Sequence, residues 1–157
     1  MRIISGSHKG RRLTAPKKLP VRPTTDRSKE ALFNILQHQY HWENIVVLDL
    51  FAGTGSISYE FGSRGVKNIT AVDQNKMCLD FIRKTSESLE LSVQLTQMDA
   101  LKYLSVVKMQ FDLIFADPPY DLGTQQYIEI IEKVFDNQLI EQQGLLILEH
   151  SDQEKFE

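Results

Sequence analysis

Short apolar runs alternate with stretches of helical periodicity along most of this chain. The pattern predicts strands at 46–50, 69–73, 92–98, 111–116 and 144–149, and helices at 55–64, 75–90 and 122–136. Strands that alternate with helices form parallel sheets covered on both faces. The uninterrupted apolar runs 45–48 and 145–148 fit strands buried on both sides. The sequence therefore predicts an α/β fold with a doubly wound, mainly parallel sheet.

The first part of the chain follows a different pattern. Residues 2–5 and 11–15 could pair as a hairpin across a turn at 6–10, and prolines then favour an extended connection. A helix is expected to begin near Asp26, a favourable N-cap residue. Its apolar face should pack on the main core and consists of Ala31, Leu32, Ile35 and Leu36.

Charge divides the chain into two parts of opposite sign. Residues 1–30 contain nine Lys and Arg against two Asp and Glu, whereas the remainder contains nine against nineteen. A basic segment on an acidic body favours contact with a polyanion such as nucleic acid, since Lys and Arg replace condensed counterions. The alternative is a solvated tail. We therefore predict a basic extension at 1–25 that contacts nucleic acid and a separate acidic domain at 26–157.

Composition excludes several classes of protein. No apolar run exceeds four residues, so a membrane-spanning helix of about 20 apolar residues is not expected. The start of the chain lacks the apolar region of a secretory signal, which predicts a cytoplasmic protein. One cysteine, Cys78, cannot form an internal disulfide or a cysteine-based zinc cluster and is expected in the core. His38 and His41 could ligate a metal, but an exposed helix end is the favoured interpretation.

The end of the first predicted strand carries a glycine loop of the kind that binds cofactors. The loop runs from Asp49 to Gly55, and ligands of open parallel sheets lie beyond the carboxyl ends of the strands. A nicotinamide dinucleotide fingerprint would place glycine at Ser58, and Asp49 would repel a pyrophosphate. The same carboxylate attracts a sulfonium and a free amino group. The sequence therefore favours S-adenosylmethionine over a nicotinamide cofactor.

Two further acids follow the next predicted strands. Asp73 could accept hydrogen bonds from ribose hydroxyls, and Asp99 could accept one from the adenine amino group. Each acid taken alone could equally be a helix N-cap. Three acids at three successive strand ends favour a cofactor site.

The fourth predicted strand runs into Asp117, Pro118, Pro119 and Tyr120. The prolines lack N–H donors, so this turn offers carbonyl and carboxylate acceptors beside an aromatic ring. An exocyclic amino group of a nucleobase could donate to Asp117 and the Pro118 carbonyl while its ring stacks on Tyr120. This arrangement suits methyl transfer to nitrogen, with Asp117 taking up the surplus proton. An ordinary Asp-Pro turn is the alternative interpretation.

These motifs together resemble a known family. The Asp-Pro-Pro-Tyr sequence and the loop at 49–55 look like the S-adenosylmethionine-dependent amino methyltransferases of nucleic-acid bases. The segments at 1–6, 9–11 and 22–36 resemble the bacterial 16S ribosomal RNA guanine-N2 methyltransferases. The likeness covers essentially the whole chain.

The resemblance implies methylation of a guanine amino group in 16S ribosomal RNA or a small-subunit assembly particle. The base would be flipped out of its stack for this reaction. The chain is expected to be monomeric. It implies that Asp117, Pro118, Pro119 and Tyr120 are catalytic. The implied cofactor residues are Asp49, Phe51, Ala52, Gly53, Thr54, Gly55, Asp73, Gln74, Asp99, Ala100 and Asp117. The implied RNA contacts, several of them in the basic extension, are Arg2, Lys9, Arg11, Arg12, Arg22, Thr24 and Arg27.

One feature departs from this family. Methyltransferases of this fold usually add an antiparallel hairpin after the fifth strand, and those C-terminal strands are expected to be missing here, which leaves an uncovered sheet edge. Two alternatives therefore stay open: a DNA adenine-N6 methyltransferase, which shares the tetrapeptide, and a non-catalytic RNA-binding module for ribosome assembly.

Overall fold

Five parallel strands form one sheet in the computed structural model, which describes residues 1–19, 25–119 and 123–149. The strands are β1 (Val46–Leu50), β2 (Asn68–Asp73), β3 (Val93–Gln97), β4 (Phe111–Ala116) and β5 (Ile140–Leu148). Their order is β3-β2-β1-β4-β5, so the direction of winding reverses between β1 and β4. The predicted α/β class with a doubly wound parallel sheet is confirmed. A ligand is expected beyond the carboxyl ends of β1 and β4, where the winding reverses.

Helices cover both faces of the sheet. They are α1 (Asp26–Leu36), α2 (Ser56–Arg64), α3 (Lys76–Ser88), α4 (Ala100–Val106) and α5 (Thr124–Asp136), with a 3-10 turn at Trp42–Asn44. Neighbouring strand residues point to opposite faces, so Val47 packs with α1 and α2 while Leu48 packs with α4 and α5. This alternation explains why β1 and β4 carry apolar residues at consecutive positions, at 46–48 and 113–116.

Two helices differ from the sequence-based expectations. Thr25, rather than Asp26, caps α1 and accepts a hydrogen bond from the Ser28 amide at 3.1 Å. The buried face of α1 contains Phe33 and Leu36, whereas Ile35 is 63% exposed. Helix α4 was not expected, because its seven residues give too short an apolar pattern.

Strand β5 begins at Ile140, earlier than the predicted residue 144. The pairing of β4 with β5 shifts register between Phe111 and Leu113, where a Cβ on Gly144 would lie 2.8 Å from the Asp112 carbonyl oxygen. This irregularity masks the strand pattern before residue 144. Among the described residues β5 pairs only with β4, so β5 forms one edge of the sheet.

The basic N-terminal segment packs against α2. Its expected hairpin is reduced to one antiparallel bridge, between Arg2 and Arg12, with flanking backbone hydrogen bonds. The backbone amides of Ile4 and Ser5 donate to the buried Glu60 carboxylate at 2.8 and 3.1 Å. Ile3, 1% exposed, joins the core cluster beneath α3. We call residues 1–19 the head.

A glycine pair in the head provides a test of this docking. Gly6 and Gly10 have φ of +93° and +85°, but only a Cβ on Gly6 would collide with the body, 1.9 Å from the Ser63 carbonyl oxygen. Gly10→Ala should therefore cost about 1–2 kcal/mol from backbone strain alone. Gly6→Ala should cost a further 1–3 kcal/mol or so from overpacking. Urea unfolding measures both, and equal losses would contradict the docked position of the head.

None of the helices within the described ranges is long and apolar enough to cross a membrane.

Candidate active site

A cavity of about 550 Å³ opens where the carboxyl ends of β1, β2 and β4 meet. It lies at the reversal of winding, as expected for a doubly wound sheet. The residues that line it come from the segments after these three strands and after β3. They are Asp49, Phe51, Ala52, Gly53, Thr54, Ser56, Ile57, Val72, Asp73, Gln74, Asn75, Met98, Asp99, Ala100, Phe115, Asp117, Pro118 and Pro119.

The loop after β1 forms one wall of this cavity in a strained conformation. Phe51 and Gly53 have φ of 56° and 57°, in the left-handed region that a phenylalanine rarely adopts. Position 55 has no room for a side chain, because a Cβ on Gly55 would lie 2.7 Å from the Tyr59 ring. The chain can therefore turn sharply and present its backbone to a ligand.

The acid after β2 organises that loop. The Asp73 carboxylate accepts hydrogen bonds from the backbone amides of Gly53 at 3.0 Å and Asn75 at 2.8 Å. Each carboxylate has about four acceptor sites, so capacity remains for the hydroxyls of a ribose. Asp99 has two functions in the structure: it caps α4 by accepting from the Lys102 amide at 3.1 Å, and it lines the cavity.

Asp49 is a buried acid of the site, and its pKa is raised. It is 2% exposed, and burial raises its pKa to about 7, with further contributions from the nearby Asp117 and Asp73 carboxylates. The Ser58 hydroxyl donates to Asp49 at 2.7 Å and opposes this rise. Buried acids with raised pKa values in a cavity are candidates for functional groups. A cation bound beside Asp49 would favour its ionised form.

The charged residues that line the cavity are all acidic among the described residues. Four aspartates line it, and no Lys, Arg or His does so within the described residues. Such a cavity favours a ligand with a positive charge and several hydrogen-bond donors, and disfavours a pyrophosphate. S-adenosylmethionine fits this donor set, since its amino group, ribose hydroxyls and adenine amine can each donate to a carboxylate.

The turn after β4 completes the site. Asp117, Pro118 and Pro119 line the cavity, and the backbone of β4 continues into them from the buried Ala116. Prolines at two successive positions leave carbonyl acceptors without competing N–H donors. The turn therefore borders the cofactor cavity with acceptors for an amino group. Tyr120, the fourth residue of the motif, lies outside the described residues.

The structure brings most of the expected site residues together. All the expected cofactor residues line the cavity except Gly55, which lies behind the loop against Tyr59. Sequence reasoning missed Ser56, Asn75 and Met98 among others, which line it because they follow the same strand ends. Of these, only Ser56 carried a signal, as the first residue after the glycine loop.

The expected RNA contacts that the structure describes lie on the surface. Arg2, Lys9, Arg11, Arg12 and Arg27 are exposed, and Arg22 and Thr24 lie outside the described residues. Cys78 is buried, as expected. His38 and His41 are exposed, and no cluster of three potential metal ligands occurs in the described parts of the chain.

The strand order, the glycine loop after β1 and the acidic cavity define a class I methyltransferase, the class of enzymes that uses S-adenosylmethionine. The family model for conserved hypothetical protein 95 matches residues 1–157. A putative ribosomal RNA methyltransferase of Bacillus subtilis, YlbH, is 34% identical over 96% of this chain and 82% of its own length. The chain belongs to this methyltransferase family.

Two further relatives agree with this assignment. The ribosomal RNA small subunit methyltransferase D of Haemophilus influenzae is 31% identical over 95% of this chain and 78% of its own length. A solved structure of the putative methyltransferase yhhF from Escherichia coli superimposes with a TM-score of 0.85. It is 28% identical and covers 99% of this chain and 84% of its own.

Proposed function

We propose that this chain transfers a methyl group from S-adenosylmethionine to the exocyclic N2 amino group of a guanine in 16S ribosomal RNA. The observation that carries the proposal is a cavity lined by four aspartates, which can accept hydrogen bonds, and bordered by the Asp117-Pro118-Pro119 turn. The relatives from Bacillus subtilis and Haemophilus influenzae, described as a putative and an established ribosomal RNA methyltransferase, support RNA as the substrate class. A small-subunit assembly particle in the cytoplasm would then be the natural partner.

The side chains around the cavity would hold the cofactor by complementary charge. Asp49 would accept from its amino group, Asp73 from its ribose and Asp99 from its adenine, while the left-handed loop at Phe51 and Gly53 would present its backbone to it. When bound, the cofactor supplies a methyl group on a sulfonium. The cavity walls exclude water and fix the direction from which this methyl is presented.

The turn after β4 would hold the acceptor. Asp117 and the Pro118 carbonyl would each accept a hydrogen bond from one N–H group of the guanine amino group. This would turn the nitrogen lone pair toward the cavity. Asp117 would take up the proton that this nitrogen loses as it gains the methyl group that S-adenosylmethionine would supply. The exposed Arg and Lys of the head would contact RNA phosphates.

Transfer of tritium from labelled S-adenosylmethionine tests the proposal. We expect label in 16S ribosomal RNA, presented as free RNA and as small-subunit particles, and N2-methylguanosine after digestion to nucleosides. Label in duplex DNA alone would favour the adenine-N6 alternative. Binding of S-adenosylhomocysteine and RNA without any transfer would favour the non-catalytic module. Label in a different nucleoside would overturn the guanine-N2 assignment.

A further inference from the structure

A buried ammonium group lies between the head and the cavity. Lys29 projects from α1 and is 1% exposed, although lysine is almost never fully buried without a partner. Its Nζ donates to the Arg2 carbonyl oxygen at 2.6 Å and to the Ser56 hydroxyl at 3.0 Å, and lies 3.5 Å from the Glu60 carboxylate. These three acceptors match the three donors of the ammonium group.

The partners of Lys29 connect two parts of the molecule, the head and the wall of the cavity. Arg2 is in the head, and Ser56 is the first residue of α2 and lines the cofactor cavity. Glu60 also accepts from the amides of Ile4 and Ser5, so it fixes the same stretch of the head. The Arg64 guanidinium donates to Glu60 at 2.8 Å and completes its pairing. One buried network therefore connects the cavity wall to the backbone of the head.

Stability alone does not explain this network. A buried ion pair costs so much desolvation that well-packed apolar side chains are often equally stabilising. In addition, an ammonium group beside the first turn of α2 is at the unfavourable end of the helix dipole. Burial indeed lowers the pKa of Lys29 against the opposing effect of Glu60. Because burying the Lys29 ammonium group costs desolvation energy, we attribute to it a function in orienting the head and the Ser56 hydroxyl.

We infer that Lys29 is a positioning residue that couples occupation of the cofactor cavity to the placement of the RNA-binding head. The inference rests on the proposed function, since it assumes ligands at both sites. Lys29 already donates to the Ser56 hydroxyl at 3.0 Å, and a ligand that also contacts this hydroxyl would hold it in the orientation that accepts from Lys29. Lys29 and Glu60 then hold the Arg2 carbonyl and the adjacent amides, and with them the exposed basic side chains of the head. By linkage, RNA bound to the head favours the cofactor by the same factor.

The test measures the affinity for a 16S ribosomal RNA transcript with and without saturating S-adenosylhomocysteine. We expect the wild-type protein to bind the RNA about tenfold more tightly in its presence. In Lys29→Met and in Ser56→Ala this factor should fall to near one, and Lys29→Arg, which keeps a buried donor, should restore part of it. Lys67→Met, at an exposed lysine, is the matched control and should keep the full factor.

The possible results separate this inference from the proposed function. A wild-type factor of one, with both ligands bound and methyl transfer intact, would overturn the coupling and leave the function standing. If folded Lys29→Met still binds the RNA about tenfold more tightly in the presence of S-adenosylhomocysteine, the proposed role of Lys29 is wrong. If Lys29→Met does not fold, Ser56→Ala decides in the same way, because it removes only a hydroxyl. Failure of the wild-type protein to bind RNA at all would overturn both proposals.

Discussion

Asp117→Asn is expected to reduce methyl transfer to RNA by about 10²–10⁴-fold, the range for a positioned proton acceptor. An asparagine side chain keeps the shape of the aspartate but cannot take up the proton that leaves the nitrogen. Its amide also donates hydrogen bonds toward an amino group that itself donates. Single-turnover transfer from labelled S-adenosylmethionine to 16S ribosomal RNA measures the loss in the chemical step.

Binding measurements show whether this loss belongs to the acceptor site. Asp117 lines the cavity but is one of four aspartates there, so the affinity for S-adenosylhomocysteine should change by less than about tenfold. Asp136→Asn, at an exposed aspartate near the end of α5, is the matched control and should transfer methyl at the wild-type rate. Undiminished transfer by folded Asp117→Asn would contradict its role as proton acceptor.

The strands and the cavity could be predicted from the sequence because both depend on short-range patterns. Residues 46–48 of β1 and 113–116 of β4 are apolar at consecutive positions, and the residues at the ends of these strands must lie at one edge of a parallel sheet. Asp49 and Asp117 are therefore placed together by topology alone, although 68 positions separate them in the chain. Both residues line the same cavity because β1 pairs in parallel with β4.

The Lys29 network could not be predicted in the same way. Lys29 and Glu60 look like surface residues in the sequence, because each charged side chain alone costs too much to bury. Only the docking of α1 and the head on α2 brings the opposite charges together and makes burial possible. The raised pKa of Asp49 has a similar origin, since it depends on burial and on distant acids rather than on local sequence.

We expect the affinity for S-adenosylhomocysteine to fall by up to about tenfold for each pH unit below pH 7. Burial raises the pKa of Asp49 to about 7, so below this pH the ligand-free carboxyl is neutral and must lose its proton before it can pair with the amino group of the ligand. The amino group of the ligand is part of a zwitterionic amino acid and keeps its charge well above this pH. Calorimetry should therefore show an affinity that rises up to about pH 7 and levels off above it.

Asp49→Asn separates this titration from that of the ligand. The variant keeps an acceptor for the Ser58 hydroxyl but has no charge, so its affinity at pH 7.5 should be lower by about 10–100-fold, because a buried charge pair is lost. Its affinity should also be nearly independent of pH between 5 and 7. The same raised pKa means that ionisation of Asp49 opposes folding, so the ligand-free wild-type protein should lose stability as the pH rises from about 4 through 7. If Asp49→Asn loses affinity in acid as steeply as the wild-type protein, another group is responsible for the titration, and Asp49 does not hold the amino group.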